Sequence, residues 1–203
     1  TTGLELTNSL KAKAKDAVFL ATGQTGICIS GNGIPLDAYK VDYASGAVEE
    51  MVLKYKNNEY LIIEGQGSLL NPGSTATLPL MRGSCPTALV LCHRLGLRVV
   101  ESETKILIPP LEEVISLNEQ LVTGLNSFPT AKVKAVALDT RGYDHASAIN
   151  EISKMEDKLN LPVTDPVRFS AKKIANALIY LNWLPKVIYL ILNWVLTYLH
   201  LIE

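Results

Sequence analysis

Cysteine is scarce in this sequence, and neither sign of charge dominates it. The chain has three cysteines, Cys28, Cys85 and Cys92, and no Cys-x-x-Cys pair, so neither a zinc ribbon nor a disulfide framework is expected. The formal net charge is −1, and the lysines and arginines are scattered along the chain. We therefore expect no nucleic-acid partner, because such a partner requires a concentrated basic surface.

Signatures of export and of some catalytic classes are also missing. No signal peptide opens the sequence, and unpaired thiols suit a reducing compartment, so we expect a cytoplasmic protein. No Gly-x-Ser-x-Gly elbow is present, which disfavours a serine hydrolase. No cluster of metal ligands stands out either. The partner class that these absences leave is a small-molecule substrate, with a homo-oligomer left open.

Short apolar runs alternate with amphipathic segments along the chain. The apolar runs predict buried strands at residues 17–21, 60–64, 87–92, 133–138 and 161–164. The amphipathic segments predict helices from the first residues to about 16 and at 45–57, 75–82, 111–122, 149–159 and 168–181. The Gly-rich stretch 26–35 is predicted to be a long loop. This alternation predicts an α/β fold with a mainly parallel sheet and helices on both faces, in one domain spanning residues 1–181.

The remaining segment, 182–203, is a separate apolar tail. Residues 187–202 are almost continuously apolar, but a spanning helix needs about 20 predominantly apolar residues. Pro185 would break a longer span. We expect an added packing helix or a tail that is foreign to the native protein, and we rank a membrane anchor below both.

Polar or Gly-rich residues follow four of the predicted strands. Because parallel strands end at the same edge of a sheet, where ligands bind, these clusters should converge. The candidate residues are Thr22, Gly23, Gln24 and Thr25 after the first strand, Glu64, Gly65, Gln66 and Gly67 after the second, His93 and Arg94 after the third, and Asp139, Thr140 and Arg141 after the fourth.

Glu64 is the strongest of these candidates. A carboxylate at the end of a buried strand can orient Mg²⁺ or a nucleophile. The glycines beside it, Gly65 and Gly67, let backbone N–H groups approach an anion. The competing interpretation is an ordinary turn with a solvated glutamate, which we favour less because a carboxylate beside a buried strand is costly unless it is used.

The other clusters leave two interpretations open. Gln24 and Thr25 are suited to binding a carboxylate, amide or phosphate, or they belong to a turn whose glycines serve only its geometry. His93 is suited to act as a base near neutral pH, although a lone histidine at a strand end is more often a structural hydrogen-bonding group. Asp139 and Arg141 either contact a base or ribose or form a plain turn.

Five segments resemble one family. They are residues 19–26 (FLATGQTG), 33–38 (GIPLDA), 63–68 (IEGQGS), 109–113 (PPLEE) and 164–169 (TDPVRF). Together they resemble the C-terminal domain of the DgcN-like D-glutamate N-acetyltransferase family, which is similar to dethiobiotin synthetase. The resemblance implies a P-loop NTPase-like three-layer sandwich, cut at the N-terminus.

The resemblance also places the start of the chain. The phosphate loop of the family ends in Gly-Lys-x-Thr-Thr, and Thr1 and Thr2 look like its last two residues. The glycines and lysine of the loop, and the central strand before it, would then precede residue 1. We expect two neighbouring strands to be left unpaired and this fragment to be inactive. The sequence departs from the family pattern at Asp139, where Asn is expected.

The implied activity is transfer of an acetyl group from acetyl-CoA to an acidic D-amino acid such as D-glutamate. Under this hypothesis Glu64 is the base, with His93 second, and the N–H groups of Gly65 and Gly67 serve the oxyanion. Thr1 and Thr2 help bind the phosphates. Gln24 and Thr25, with Arg94 or Arg141, meet the substrate carboxylates.

Two alternatives remain at this stage. One is an ATP-dependent ligase of the dethiobiotin synthetase type, in which Glu64 holds Mg²⁺. The other is a module that binds a nucleotide or CoA without catalysis.

Overall fold

The sheet has six parallel strands. The computed structural model describes residues 1–100, 105–180 and 186–192, with side chains described up to residue 190. The strands are β1 (Ala17–Leu20), β2 (Tyr60–Ile63), β3 (Ala88–Arg94), β4 (Val133–Asp139), β5 (Val163–Thr164) and β6 (Lys186–Leu192). Their order across the sheet is β1-β2-β6-β3-β4-β5, and all neighbouring pairs are parallel. The predicted parallel α/β sheet is therefore confirmed.

Seven helices cover the two faces of this sheet within the described ranges. They are α1 (Thr2–Lys11), α2 (Gln24–Ser30), α3 (Val41–Lys54), α4 (Thr77–Ser84), α5 (Leu111–Thr123), α6 (His145–Leu159) and α7 (Lys172–Ile179), with a 3₁₀ turn at Leu36–Ala38. Helix α1 ends about five residues earlier than its amphipathic pattern predicts, and α3 begins four residues earlier.

Alternate residues of each strand supply two hydrophobic cores. Leu61 and Ile63 of β2 pack on the face covered by α3, α4, α5 and α6. Tyr60 and Ile62 point to the opposite face, which α1 and α7 cover. Because both faces are covered, the central strands read as continuous apolar runs rather than as alternating ones. The predicted placement of helices on both faces is confirmed.

Residues 24–30 form helix α2 where the sequence predicts the start of a loop. Gly23 precedes the helix in an extended conformation, and Gly31 ends it in the left-handed region, with φ of 71°. The hydroxyl of Ser30 donates a hydrogen bond to the carbonyl of Gly26. The prediction of a loop over 26–35 was wrong for its first five residues, because glycines were read as breakers where they act as caps.

The prediction for the apolar segment 182–203 was wrong for its described part. Residues 186–192 form strand β6, in the centre of the sheet, and neither a packing helix nor a free tail. This strand pairs with β2 on one side and with β3 on the other, so the expectation of two unpaired neighbouring strands was also wrong. The rest of the predicted tail, 182–185 and 193–203, lies outside the described residues.

A spanning segment was the third interpretation of that apolar stretch. Within the described ranges, every helix is too short or too polar to cross a bilayer.

Helix α1 begins next to the carboxyl end of β6. A Cβ added at Gly3 would overlap the Phe19 ring and would lie 3.0 Å from the side chain of Leu190. Only glycine lets the first turn of α1 approach β1 and β6 this closely. The N-terminus of α1 is thereby fixed at the carboxyl edge of the sheet, between the ends of β2 and β3.

Candidate functional site

The carboxyl ends of β1 and β2 are joined by the Glu64 carboxylate. Its Oε2 accepts hydrogen bonds from the backbone N–H groups of Thr22 (2.9 Å) and Gly23 (3.3 Å). In return, the Thr22 hydroxyl donates to the Glu64 carbonyl at 3.2 Å. The first two predicted clusters therefore lie in direct contact, although they are separated by 41 to 42 residues in sequence.

The absence of a side chain at Gly26 leaves the space that the Glu64 carboxylate occupies. A Cβ at position 26 would lie 2.7 Å from Glu64 Oε2 and 2.8 Å from the Cβ of Ala21. No side chain fits there without displacing the carboxylate. Oε1 of Glu64 makes no hydrogen bond to the described residues, so one carboxylate oxygen is held in place and the other is available to a ligand.

The loop after Glu64 presents unused polar groups. The backbone N–H groups of Gly65 and Gly67 donate no hydrogen bond to the described part of the chain. Gly67 has a φ of 74°, and a Cβ there would overlap the hydroxyl of Ser74. The side-chain Oε1 of Gln66 is buried without a partner among the described residues. The two N–H groups are suited to binding an anion beside the carboxylate, whereas Oε1 of Gln66 can only accept a hydrogen bond from a ligand.

Gln24 and Thr25 lie in the first turn of α2. The Gln24 amide donates to a carboxylate oxygen of Asp37 at 3.0 Å, so it is oriented by the 3₁₀ turn. That turn is attached in its own right, since the Leu36 N–H donates to the Thr22 carbonyl at 3.1 Å. Sequence reasoning placed Gln24 and Thr25 in a turn; they are in a helix, and Gln24 already has a partner.

The third and fourth clusters also lie together, at the ends of β3 and β4. Arg94 is in register with Asp139. The Asp139 carboxylate accepts three hydrogen bonds from the Arg141 guanidinium, at 2.6 to 3.0 Å. Partial burial would raise the pKa of Asp139, but the hydrogen bonds from Arg141 and the charge of Arg94 outweigh it, so this pKa lies below its usual range. Asp139 is therefore ionised and already engaged.

His93 is buried at the end of β3, with 6% of its surface exposed. Desolvation lowers the pKa of its imidazole from 6.5 to about 4, because burial disfavours the charged form. The ring is therefore neutral near pH 7 and a weak proton acceptor. This is the opposite of a base that titrates near neutral pH.

The four clusters do not converge on one point. Strands β6 and β3 lie between β2 and β4, so Glu64 and Asp139 are separated by three strand spacings, about 14 Å. The structure brings together residues 22–23 and 64, and separately 94, 139 and 141. The end of β6 and the start of α1 lie between the two groups. The prediction that all four clusters share one crevice was therefore wrong: the carboxyl edge of the sheet carries two separate polar groups.

Thr1 and Thr2 lie at this intermediate position. Thr1 precedes α1 without a side-chain capping bond, and Thr2 is the first residue of the helix. Burial raises the pKa of Cys92 on β3 to about 11, an effect that the nearby Thr2 side chain only reduces. Cys92 is therefore a buried neutral thiol and no nucleophile.

Sequence reasoning missed Asp165, which follows β5. The residue is 5% exposed. Its carboxylate accepts hydrogen bonds from the Thr140 N–H (3.0 Å), the Thr140 hydroxyl (2.6 Å) and the N–H groups of Val167 and Arg168 (3.0 Å each). It fixes the loop that carries Asp139 and Arg141. The signal was available, because Asp165 is an acidic residue directly after a buried strand, as Glu64 is.

The described residues contain no group of three or more His, Cys, Asp or Glu side chains suited to holding a metal ion. A divalent ion at Glu64 would have one protein carboxylate, and Mg²⁺ is commonly bound by one or two carboxylates with substrate phosphates. The site alone does not supply a metal cage.

Comparison with known proteins agrees with this architecture. A crystal structure of a DUF1611 family protein from Anabaena variabilis ATCC 29413 matches with a TM-score of 0.83 and 49% identity, over 87% of this chain and 52% of that one. Two relatives are named D-glutamate N-acetyltransferase. That of Tritonibacter scottomollicae is 32% identical over 178 residues, or 87% of this chain and 53% of the relative. That of a Pseudoalteromonas species is 33% identical over 168 residues, or 82% and 50%.

The present chain thus spans about half the length of the curated relatives that it matches. The family profile that matches is described as a domain of unknown function, the DUF1611_C P-loop domain, and it covers residues 1–175. The chain therefore belongs to the DUF1611_C P-loop domain family.

Proposed function

We propose that this domain forms part of an N-acetyltransferase that moves an acetyl group from acetyl-CoA to the amine of an acidic D-amino acid such as D-glutamate. Two relatives carry the name of that activity over most of this chain. Because the chain spans about half of their length, the remainder of the active site is expected from sequence outside the matched part. Such small metabolites suit the cytoplasmic location that we also propose.

The observation that carries the proposal is the carboxylate of Glu64. Its Oε2 is held by two backbone N–H groups, so Oε1 is presented in a fixed direction. In the proposed step, Oε1 accepts a proton from the substrate amine while the nitrogen forms a bond to the acetyl carbon. The C–S bond of the thioester then breaks, and CoA leaves as the thiol by taking up the proton that Glu64 accepted, which restores the carboxylate. General-base assistance of this kind contributes roughly 10²–10⁴-fold in rate.

Glu64 is preferred to His93 as the base. The pKa of His93 is lowered to about 4 by burial, so its protonated form would be a costly product of the step. A buried neutral imidazole is better suited to hydrogen bonding. We assign His93 a positioning role at the end of β3.

The loop after Glu64 is suited to the developing oxyanion. The N–H groups of Gly65 and Gly67 have no acceptor among the described residues, and two such donors stabilise a tetrahedral oxyanion. The N-terminus of α1, with Thr1 and Thr2, would contribute to binding the CoA phosphates. The sequence holds no Gly-Lys pair, so we expect this chain alone to bind CoA weakly.

The substrate carboxylates are assigned to Thr25 and to Arg94. Gln24 already donates to Asp37, and Arg141 binds Asp139 through Nε and Nη2. Arg94 ends β3, two strand spacings, or about 10 Å, from the end of β2, a gap that an extended arginine and a small substrate together can span. Arg94 is therefore the better partner.

The test uses a chimera in which residues 1–192 of this chain, which include all six strands, replace the matching half of the Tritonibacter relative. With D-glutamate and acetyl-CoA, and no ATP, free thiol should accumulate in step with N-acetylglutamate. L-Glutamate and D-alanine serve as matched controls and should react more slowly. Absence of thiol release from a chimera that folds and binds CoA would reject the acetyltransferase proposal.

A second candidate is an ATP-dependent ligase, which the P-loop description of the family favours. In that case Glu64 would hold Mg²⁺ together with the phosphates of the nucleotide, and the reaction would stop when ATP or Mg²⁺ is withheld. Binding of CoA or ATP without any turnover would instead indicate a binding module. The assay is therefore run with and without ATP and Mg²⁺: thiol release without ATP indicates the acetyltransferase, turnover only with ATP and Mg²⁺ indicates the ligase, and binding without turnover in either condition indicates a binding module.

A further inference from the structure

Gln24 is a predicted site residue without a role in the proposed reaction. Its amide nitrogen donates a hydrogen bond to a carboxylate oxygen of Asp37 at 3.0 Å. An ionised carboxylate can only accept hydrogen bonds, so the Gln24 atom that faces Asp37 must be the nitrogen and not the oxygen. The Gln24 oxygen is therefore turned away from Asp37, and it accepts no hydrogen bond from the described residues. Because Gln24 is exposed, a ligand can reach this amide.

The turn that carries Asp37 is fixed to the end of β1. The Leu36 N–H donates to the Thr22 carbonyl at 3.1 Å. Thr22 is also the residue whose own N–H donates to the Glu64 carboxylate at 2.9 Å. The hydrogen bond between Gln24 and Asp37 therefore orients the amide relative to the proposed base, and it does so before any ligand binds, which lowers the entropy that a ligand must overcome.

Two carboxylates without a paired cation lie at this end of the sheet. Neither Glu64 nor Asp37 forms an ion pair with another residue in the described ranges. The polar group at the ends of β3 and β4 instead has two guanidinium groups, those of Arg94 and Arg141, and the one carboxylate of Asp139. The charge of these groups is therefore negative beside β1 and β2 and positive beside β3 and β4. A ligand group that donates hydrogen bonds is favoured at the negative end.

We propose that the Gln24 oxygen accepts a hydrogen bond from the substrate amine, and that Asp37 is the positioning residue that keeps the amide in this orientation. The inference rests on the proposed function and gives the amine a second contact beside Glu64. Glu64 takes one amine proton in the proposed step, and Gln24 accepts from an N–H that stays on the nitrogen in the product. Two acceptors on the nitrogen direct its lone pair, which must face the acetyl carbon for the bond to form. The substrate carboxylates remain with Thr25 and Arg94.

Binding of two ligands separates the amine contact from the carboxylate contacts. Glutarate has both carboxylates of D-glutamate but no amine, so its affinity reports the carboxylate contacts alone. The dissociation constants of both ligands are measured by calorimetry with the chimera described above, in the absence of acetyl-CoA. Gln24→Leu should weaken the binding of D-glutamate roughly 10-fold and leave that of glutarate unchanged. The matched control Gln120→Leu, at an exposed glutamine of α5 that donates to Ser116, should change neither.

Asp37→Asn tests the positioning role. An asparagine side chain can donate or accept, so the Gln24 amide is no longer held with its nitrogen toward position 37. The ratio of the two dissociation constants, that of D-glutamate over that of glutarate, should rise. In the Gln24→Leu variant the same change should have no further effect on the ratio, because Asp37 acts through Gln24. A direct effect of the lost charge would persist there and would refute the positioning role. Asp42→Asn, which removes the same charge from an exposed position of α3, should leave the ratio unchanged.

The response of Gln24→Leu decides the proposal. Proportional weakening of both ligands would mean that Gln24 meets a carboxylate or only supports the structure, and unchanged binding of both would remove Gln24 from the site. Either result overturns the amine contact. Thiol release by the unsubstituted chimera together with an unchanged ratio in Gln24→Leu refutes this contact alone, whereas a raised ratio without thiol release refutes the acetyltransferase alone.

A second measurement uses the 203-residue chain itself and does not depend on folding of the chimera. The two ligands are titrated at millimolar concentration into the isotope-labelled chain, and the side-chain amide signals of Gln24 are followed by NMR. D-Glutamate should shift these signals and glutarate should not. Equal shifts with both ligands, or no shift with either, would overturn the proposal.

Discussion

Replacement of Asp165 by alanine should destabilise the domain strongly, although Asp165 lies outside both polar groups of the candidate site. The residue is buried, and its carboxylate accepts four hydrogen bonds, from the Thr140 N–H and hydroxyl and from the N–H groups of Val167 and Arg168. Alanine would leave the buried N–H and hydroxyl of Thr140 without an acceptor, together with the part-buried N–H groups of Val167 and Arg168. Each hydrogen bond to a charged group contributes about 1.5–3 kcal/mol, and because such contributions are not additive we expect a loss of about 3–4 kcal/mol in the free energy of unfolding.

Thermal unfolding followed by circular dichroism measures this loss. For a domain of this size 1 kcal/mol shifts the Tm by roughly 2–4 °C, so Asp165→Ala should lower the Tm by about 10 °C. The matched control is Asp157→Ala, at an exposed position of α6, which should change stability by less than about 0.5 kcal/mol. If both variants melt at the same temperature, Asp165 does not hold the loop together in the way described.

Three other substitutions or conditions test separate parts of the structure. The pKa of His93 is about 4 in the folded protein, against an ordinary 6.5, so the unfolded state takes up a proton first as the pH falls. The free energy of unfolding should therefore be at its full value above pH 6.5 and should fall by about 3 kcal/mol between pH 6.5 and 4. Urea titrations of His93→Gln should show no such pH dependence. Gly26→Ala should displace the Glu64 side chain and lower the free energy of unfolding by about 1–3 kcal/mol. The control Gly46→Ala places the new Cβ in open space within α3 and should raise the free energy of unfolding by up to about 1 kcal/mol. Equal Tm shifts for the two variants would argue against the contact between Gly26 and Glu64. Tyr189→Phe should stabilise by about 1 kcal/mol by removing an unpartnered buried hydroxyl, and a clear loss of stability would mean that the hydroxyl has a partner.

Local patterns were sufficient to predict most of the sheet. Strand β2 is a short apolar run bounded by Glu59 and Glu64, and its neighbours along the chain are amphipathic helices, so a parallel arrangement followed. The contact between Glu64 and residues 22–23 followed in turn, because the carboxyl ends of parallel strands lie at one edge. These inferences needed no information about which strands are adjacent.

Strand order was the information that the sequence did not supply. The apolar run from residue 187 has no period that separates a strand from a buried helix, and β6 pairs with strands about 100 residues or more earlier in the chain. Its insertion between β2 and β3 increases the separation of Glu64 and Asp139 from two strand spacings to three. The split of the site into two groups was therefore as unpredictable as β6 itself.

The glycines of residues 23–31 led to the wrong prediction of a loop where the structure has a helix. Gly23 and Gly31 suggested a loop, but they cap helix α2 at its two ends. Gly26 lies inside that helix because Glu64 leaves no room for a side chain. The reason for a glycine at this position is a contact with another strand, which no local pattern reveals.

The most direct test of the central claim is the rate of thiol release by the chimera carrying Glu64→Gln. The glutamine amide oxygen can still accept from the N–H groups of Thr22 and Gly23, so the fold should persist, while the proton acceptor is lost. We predict a fall in kcat of roughly 10²–10⁴-fold, with an unchanged circular dichroism spectrum and unchanged CoA binding. Activity equal to that of the unsubstituted chimera would contradict the assignment and would leave Glu64 as a structural link between β1 and β2.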